Sequence, residues 1–160
     1  MRTMTTQFDI YRLVEVALAD ERSGVAMYSA MADKATGEKL KSVFEYLSAV
    51  EEDHAALFEE IMEHIKQDRP QGAYPDEYAE YLDTLCSNGG DSNAFDRIAQ
   101  TDDDVALLDL AIEFENEQLG IQRDIGEALG GSYKDIVDSI LKEERDHLVS
   151  LSRVKQQLEL

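Results

Sequence analysis

Four separate segments of this 160-residue chain repeat apolar residues every three to four positions, and inside each apolar stripe stands a glutamate. Residues so spaced share one face of an α-helix, and the period-2 alternation of strands is almost absent, so the fold is expected to be all-α. In the first segment Ile10, Val14, Ala17, Glu21, Val25, Tyr28 and Ala32 share a face until Thr36 and Gly37 break the pattern. In the second, Leu40, Phe44, Leu47, Glu51, His54, Phe58, Ile61 and Ile65 line up before Pro70 and Gly72. The third opens at "TDDD", where Thr101 can cap and the aspartates suit a helix N-terminus. It runs through Val105, Leu108, Ile112, Glu115, Leu119, Gln122 and Leu129 to Gly130 and Gly131. The fourth starts at Ser132, with Asp135 three residues on, and carries Ile136, Ile140, Glu144, His147, Leu151, Val154 and Leu158. The predicted helices span about 7–35, 38–67, 101–129 and 132–158.

The connections set the topology. Short joints make antiparallel hairpins of helices 1 and 2 and of helices 3 and 4. About 33 residues, 68–100, separate the hairpins. A helix of about 25 residues is about 38 Å long, so a connection of this length can run back along the bundle and start helix 3 where helix 2 started. The expectation is one domain, 1–160, built as a four-helix bundle with a long crossover. Within the crossover, Tyr74–Leu85 reads as a short helix with Pro75 at its start, its Tyr78, Tyr81, Leu82 and Leu85 covering the bundle, and "CSNGGDSNAF" as a turn-rich tail.

Charge removes some functions. With 35 acidic against 15 basic side chains, a formal charge of −20, the chain repels nucleic acid and anionic membranes, and no Lys/Arg cluster offsets this. Nowhere is there a run of about 18 apolar residues for a membrane span, and the N-terminus lacks a signal-like apolar core, so a cytoplasmic protein is expected. The one cysteine, Cys86, allows no internal disulfide and no Cys-based zinc or iron site.

An internal repeat carries the chemistry. Helix 2 contains "EEDH", with Glu51 and His54, and helix 4 contains "EERDH", with Glu144 and His147; both are Glu-x-x-His. Glu21 lies 30 residues before Glu51 and Glu115 lies 29 before Glu144, so one unit is used twice. A single Glu-x-x-His would more often be surface charge. Two copies matched to two further glutamates, all on inward stripes, would instead gather four carboxylates in an apolar core, where each uncompensated charge costs several kcal/mol. Two divalent cations would balance them. Residues i and i+3 reach one metal pair from one helix face. Carboxylates with one imidazole per metal suit iron or manganese, and the lack of thiolates argues against structural zinc.

At these residues the chain resembles the ferritin-like di-iron and di-manganese carboxylate proteins, and specifically their rubrerythrin-like branch, over the four helices. The matching stretches are "ADERSGVAMYSAMA", "LSAVEEDH", "AIEFENE" and "EERDH". The resemblance implies two iron ions, or manganese, with Glu21 and Glu115 as terminal ligands, Glu51 and Glu144 as bridges, and His54 and His147 as one nitrogen ligand each. By analogy Tyr28, two turns from Glu21, hydrogen-bonds a ligand carboxylate. The branch usually has a further glutamate three residues after the terminal one on helix 3. Here that position is Gln118, which puts the full peroxidase-type ligand switch in doubt. It usually also has a Cys-rich rubredoxin domain, absent from these residues, so a separate electron donor such as a rubredoxin-like protein is implied.

The function expected is reduction of peroxide or O₂, or oxidation of Fe(II), in a homodimer. The alternatives are an iron-storage subunit of a cage and an interaction protein with a structural metal centre. Glu113 and Glu117 read as solvated, as do Asp53 and Asp146, which could otherwise orient the histidines. His64 reads as a surface group, Met27, Met31 and Met62 as core, and Cys86 as a bystander. Gly24 and Gly120, inside helices, are expected to permit close packing or substrate access. Glu52 and Glu143 are expected on neighbouring faces that do not hold metal.

Overall fold

The computed structural model describes residues 2–67, 92–129 and 131–159. Five helices are present among them: α1 (Arg2–Lys34), α2 (Glu38–Gln67), α3 (Ser92–Ala99), α4 (Asp104–Leu129) and α5 (Gly131–Glu159). The short helix expected over Tyr74–Leu85, and Cys86, lie outside the described residues. The turn-rich tail read across 86–95 is corrected at its end, because Ser92 already opens α3. Ala94 and Ile98 of α3 join the core, and this apolar anchor favours the helix over the turn that "SN" suggested.

Helix α1 starts five residues earlier than its apolar period. No Gly or Pro interrupts residues 2–23, so nothing in the sequence stops the helix before Arg2. Helix α4 starts three residues later than expected, at Asp104. The Leu107 amide bonds the Asp103 carbonyl, which makes Asp103 the cap, whereas the Thr101 hydroxyl turns back to the Arg97 carbonyl at 2.6 Å. Gly131 joins α4 to α5 with a φ of 58°, a conformation that costs glycine little.

The helices form a ring in which α1 packs on α2, α2 on α5, α5 on α4 and α4 on α1. Two tertiary contacts set the directions. The Asp104 carboxylate accepts from the Thr36 and Gly37 amides at 2.9 and 3.0 Å and from the Thr36 hydroxyl at 3.0 Å, so α4 begins where α1 ends and α2 begins. Lys39 donates to Gln157 at 2.7 Å, which places the end of α5 at the same end of the bundle. Helices α1 and α5 thus run one way and α2 and α4 the other, the arrangement that a crossover returning along the bundle requires.

Two apolar clusters fill the interior. Near the Asp104 end lie Tyr28, Met31, Phe44, Leu47, Leu108 and Leu151, and near the other end lie Val14, Ala17, Phe58, Ile61, Ile125 and Ile140. In each of α1, α2, α4 and α5 the switch from one cluster to the other passes a buried glutamate: Glu21, Glu51, Glu115 and Glu144. The polar residues therefore occupy one level of the bundle, closed above and below by hydrocarbon. No helix among the described residues is long and apolar enough to cross a membrane.

Candidate metal centre

All six residues expected as ligands are buried: Glu21, Glu51, Glu115 and Glu144 at 0% exposure, His54 at 1% and His147 at 7%. They converge as two overlapping groups. Glu21, Glu51, His54 and Glu144 bring ligand atoms within 4.8 Å of one another, and so do Glu51, Glu115, Glu144 and His147. Glu51 and Glu144 belong to both groups, the position a bridging carboxylate must take. One terminal glutamate and one histidine complete each group, with the two imidazole rings stacked 6.3 Å apart at 20°.

Each histidine turns Nδ1 toward the carboxylates. His54 Nδ1 lies 2.9 Å from Glu144 and 3.6 Å from Glu21, and His147 Nδ1 lies 3.7 Å from Glu144 and 4.0 Å from Glu115. The outer nitrogens differ. His54 Nε2 is 2.5 Å from the Glu143 carboxylate, so Glu143 corrects its expected place on an uninvolved face. It reaches the imidazole from the exposed side of α5 and selects the tautomer that leaves Nδ1 for a metal. The matching residue before Glu51 is Val50, which offers no such partner. Asp53 and Asp146, the other candidates for this task, are exposed, as are Glu113, Glu117 and His64.

Two hydrogen bonds hold the terminal carboxylates from across the bundle. The Tyr28 hydroxyl on α1 donates to Glu115 on α4, and Gln122 Nε2 on α4 donates to Glu21 on α1 at 2.6 Å. Tyr28 and Gln122 each lie seven residues after a terminal glutamate, so the repeat places them in equivalent positions with unlike chemistry. Phe44 stacks with the Tyr28 ring at 6.1 Å, and Phe114 meets it edge-on. Gly24 faces the bridge: a Cβ there would lie 2.8 Å from Glu51 Oε2, so glycine is what lets this carboxylate fit against α1. Gly120 has nothing within 4 Å of where its Cβ would be.

Without a cation the centre is electrostatically strained. Burial, then Glu21 and Glu144, push the Glu51 carboxyl well above its ordinary value, and burial with Glu144 does the same to Glu115. Burial and the nearby Glu115 also push the Tyr28 hydroxyl up. Burial opposes a charged His54, but Glu144, Glu21 and Glu143 outweigh it and push His54 up to about 11. Burial likewise opposes ionisation of Glu144, which Glu115 and both histidines nevertheless hold below the usual carboxylate range. Six atoms of the centre are buried with no hydrogen-bond partner: Glu21 Oε2, both oxygens of Glu51, Glu115 Oε2, Glu144 Oε2 and His147 Nδ1. All can serve as metal ligands, and orphaned buried acceptors are otherwise rare. The residues fit a pair of divalent cations.

Sequence reasoning missed Glu143 and Asp20. The first had a signal, the unmatched Glu143 against Val50 in the two repeats. Asp20 is 3% exposed and pushed up to about 7 by burial, with Glu21 and Glu117 adding to it. Only the packing of α1 against α4 reveals it, through Gln118 Nε2, which donates to the Asp20 carbonyl at 3.0 Å.

This bundle gathers four carboxylates and two imidazoles into one buried candidate site for two metal ions. Residues 12–87 match the rubrerythrin family model, a stretch that holds Glu21, Glu51 and His54. A crystal structure from Thermotoga maritima, described as a ferritin-like diiron-carboxylate protein, superimposes with a TM-score of 0.66 at 22% identity, over 92% of this chain and 94% of that one. No curated protein matches. The chain is thus similar to rubrerythrins over residues 12–87 and shares the fold of the Thermotoga maritima structure.

Proposed function

We propose that the protein is a di-iron oxidoreductase that reduces hydrogen peroxide or O₂, taking electrons from a separate small redox protein. The observation that carries this is the set of six orphaned ligand atoms shared between two groups with common bridges. Carboxylate oxygens with one imidazole per metal suit iron, manganese being the closest alternative. The similar Thermotoga maritima protein is described as diiron-carboxylate, which supports the same choice. A ferrous pair, if bound by these six residues, would supply the two electrons that hydrogen peroxide takes up with two protons to give two waters.

The chain's own residues prepare the site. Glu51 and Glu144, shared by both groups, would hold the pair together, while Glu21 and Glu115 keep their positions through Gln122 and Tyr28. The two apolar clusters exclude bulk water and so strengthen each of these contacts. The single cysteine leaves no thiolate set to relay electrons, so the relay comes from outside these 160 residues. A homodimer in the cytoplasm completes the reading.

Metal analysis and rapid mixing test it. The purified protein should hold two metals per chain, and its reduced form should be oxidised much faster by peroxide than by O₂. Two tightly held metals that react with neither oxidant would make the centre structural. A large cage that takes up many more irons per chain would make the protein a storage subunit.

A further inference from the structure

The two halves of the centre repeat one another in their ligands but not in what stands behind them. Each histidine turns Nδ1 toward the carboxylates, so a metal there would take Nδ1 and leave the outer Nε2 as a hydrogen-bond donor. Behind His54 that nitrogen meets the Glu143 carboxylate of α5 at 2.5 Å. Behind His147 the repeat offers Val50 in the place of Glu143, and the ion pairs of His147 among the described residues both use Nδ1. The His147 side chain is also the more open of the two, 9% exposed against 2% for His54.

A carboxylate on the far nitrogen of a ligating imidazole fixes the ring and its tautomer and makes the ligating nitrogen more basic. Removing such a partner costs about 10- to 100-fold in metal affinity. It also adds charge: four carboxylates, Glu21, Glu51, Glu144 and Glu143, bear on an ion beside His54, against Glu51, Glu115 and Glu144 beside His147. The Glu143 side chain is 55% exposed, so water screens part of its charge, but the orientation of the ring does not depend on that charge. The donors on the terminal glutamates do not offset the difference, since Gln122 serves Glu21 and Tyr28 serves Glu115 with one hydrogen bond each.

We propose that Glu143 makes the centre load unequally: the divalent ion beside His54 binds first and is retained, and the ion beside His147 binds second and exchanges with metal in solution. Glu143 is thereby a positioning residue that acts on the metal through His54. The proposal rests on the two-metal reading of the centre and not on its redox chemistry.

The test is NMR of the imidazole rings while chelator-treated protein is titrated with Zn(II), a diamagnetic probe that imidazole accepts. The chain has three histidines, and exposed His64 serves as the reference. The His54 signals should complete their shift with the first equivalent and those of His147 with the second, the first ion binding at least about tenfold more tightly. In Glu143→Ala the first step should weaken by about tenfold or more, so that the two rings shift together while two ions still bind. Glu143→Gln, which keeps an acceptor for Nε2 without the charge, should fall between. Simultaneous shifts in the native protein would overturn the unequal loading, as would His147 shifting first. His54 leading by an undiminished margin in Glu143→Ala would overturn the role of Glu143. Zinc that shifts neither ring would refute the two-metal reading, and the proposal with it.

Discussion

At the scale of single residues, the centre separates side chains that sequence spacing makes look alike. Glu51 and Glu52 are neighbours in one run of acids, yet Glu51 is fully buried between the two ligand groups and Glu52 is exposed. Glu143 and Glu144 repeat the pattern on α5, except that exposed Glu143 still reaches His54 Nε2. Metal analysis of purified variants should follow these placements. Glu51→Ala and His147→Ala should lose stoichiometric metal, and Glu52→Ala should keep it. Glu143→Ala should retain the centre but weaken metal binding on the His54 side by about 10- to 100-fold, the usual effect of removing a partner that orients a ligand. Equal metal content and affinity in all four variants would remove the assignment.

At the scale of elements, the same helical period served two purposes that spacing alone does not separate. The stripe in α1 carries Val14 and Ala17 into one apolar cluster and Tyr28 into the other, with Glu21 between them. A glutamate inside such a stripe was legible as inward because both neighbours at helical spacing are apolar. The helix ends were less legible, since they depend on partners far along the chain. Asp104 was read as part of an acidic first turn, but its carboxylate also binds the amides that lead into α2. Burial, the largest single effect, raises its pKa, but the bonds from the Thr36 and Gly37 amides and the Thr36 hydroxyl together outweigh it and lower the value. Its contribution to stability is therefore present above the ordinary value of 3.8 and lost as pH falls through the lowered one. Asp104→Ala should cost about 0.5–1 kcal/mol, the lower part of the range for helix caps because the site is solvated. Chemical denaturation near neutral pH would measure it, and the difference should shrink in acid.

At the scale of the whole molecule, metal binding and folding are coupled through protons. In the metal-free protein His54 is held at about 11 against an ordinary 6.5. The stability it contributes is complete below about 6.5 and is lost as pH rises toward 11. Glu51 and Glu115 act in the same sense, because their raised values mean that the folded state keeps protons which the unfolded chain releases above about 4.5. Glu144, held low, acts oppositely but only in acid. The melting temperature of chelator-treated protein should therefore fall as pH rises from 6.5 to 9. Cations take the place of these protons, so the metal-loaded protein should melt higher and lose little over the same range. Parallel declines with and without metal would show that these groups do not carry the dependence.

The chain alone determined which residues turn inward and that the inward set repeats, because helical period and the spacing of Glu21, Glu51 and His54 against Glu115, Glu144 and His147 are local properties of the sequence. It could not determine which unlike groups the two halves set against each other. That Tyr28 serves Glu115, that Gln122 serves Glu21, and that Glu143 holds a histidine on another helix follow from packing α1 on α4 and α2 on α5. The same packing buries Asp20. Contacts between helices about 90 residues apart depend on rotation and depth in the bundle, and only the tertiary structure decides those.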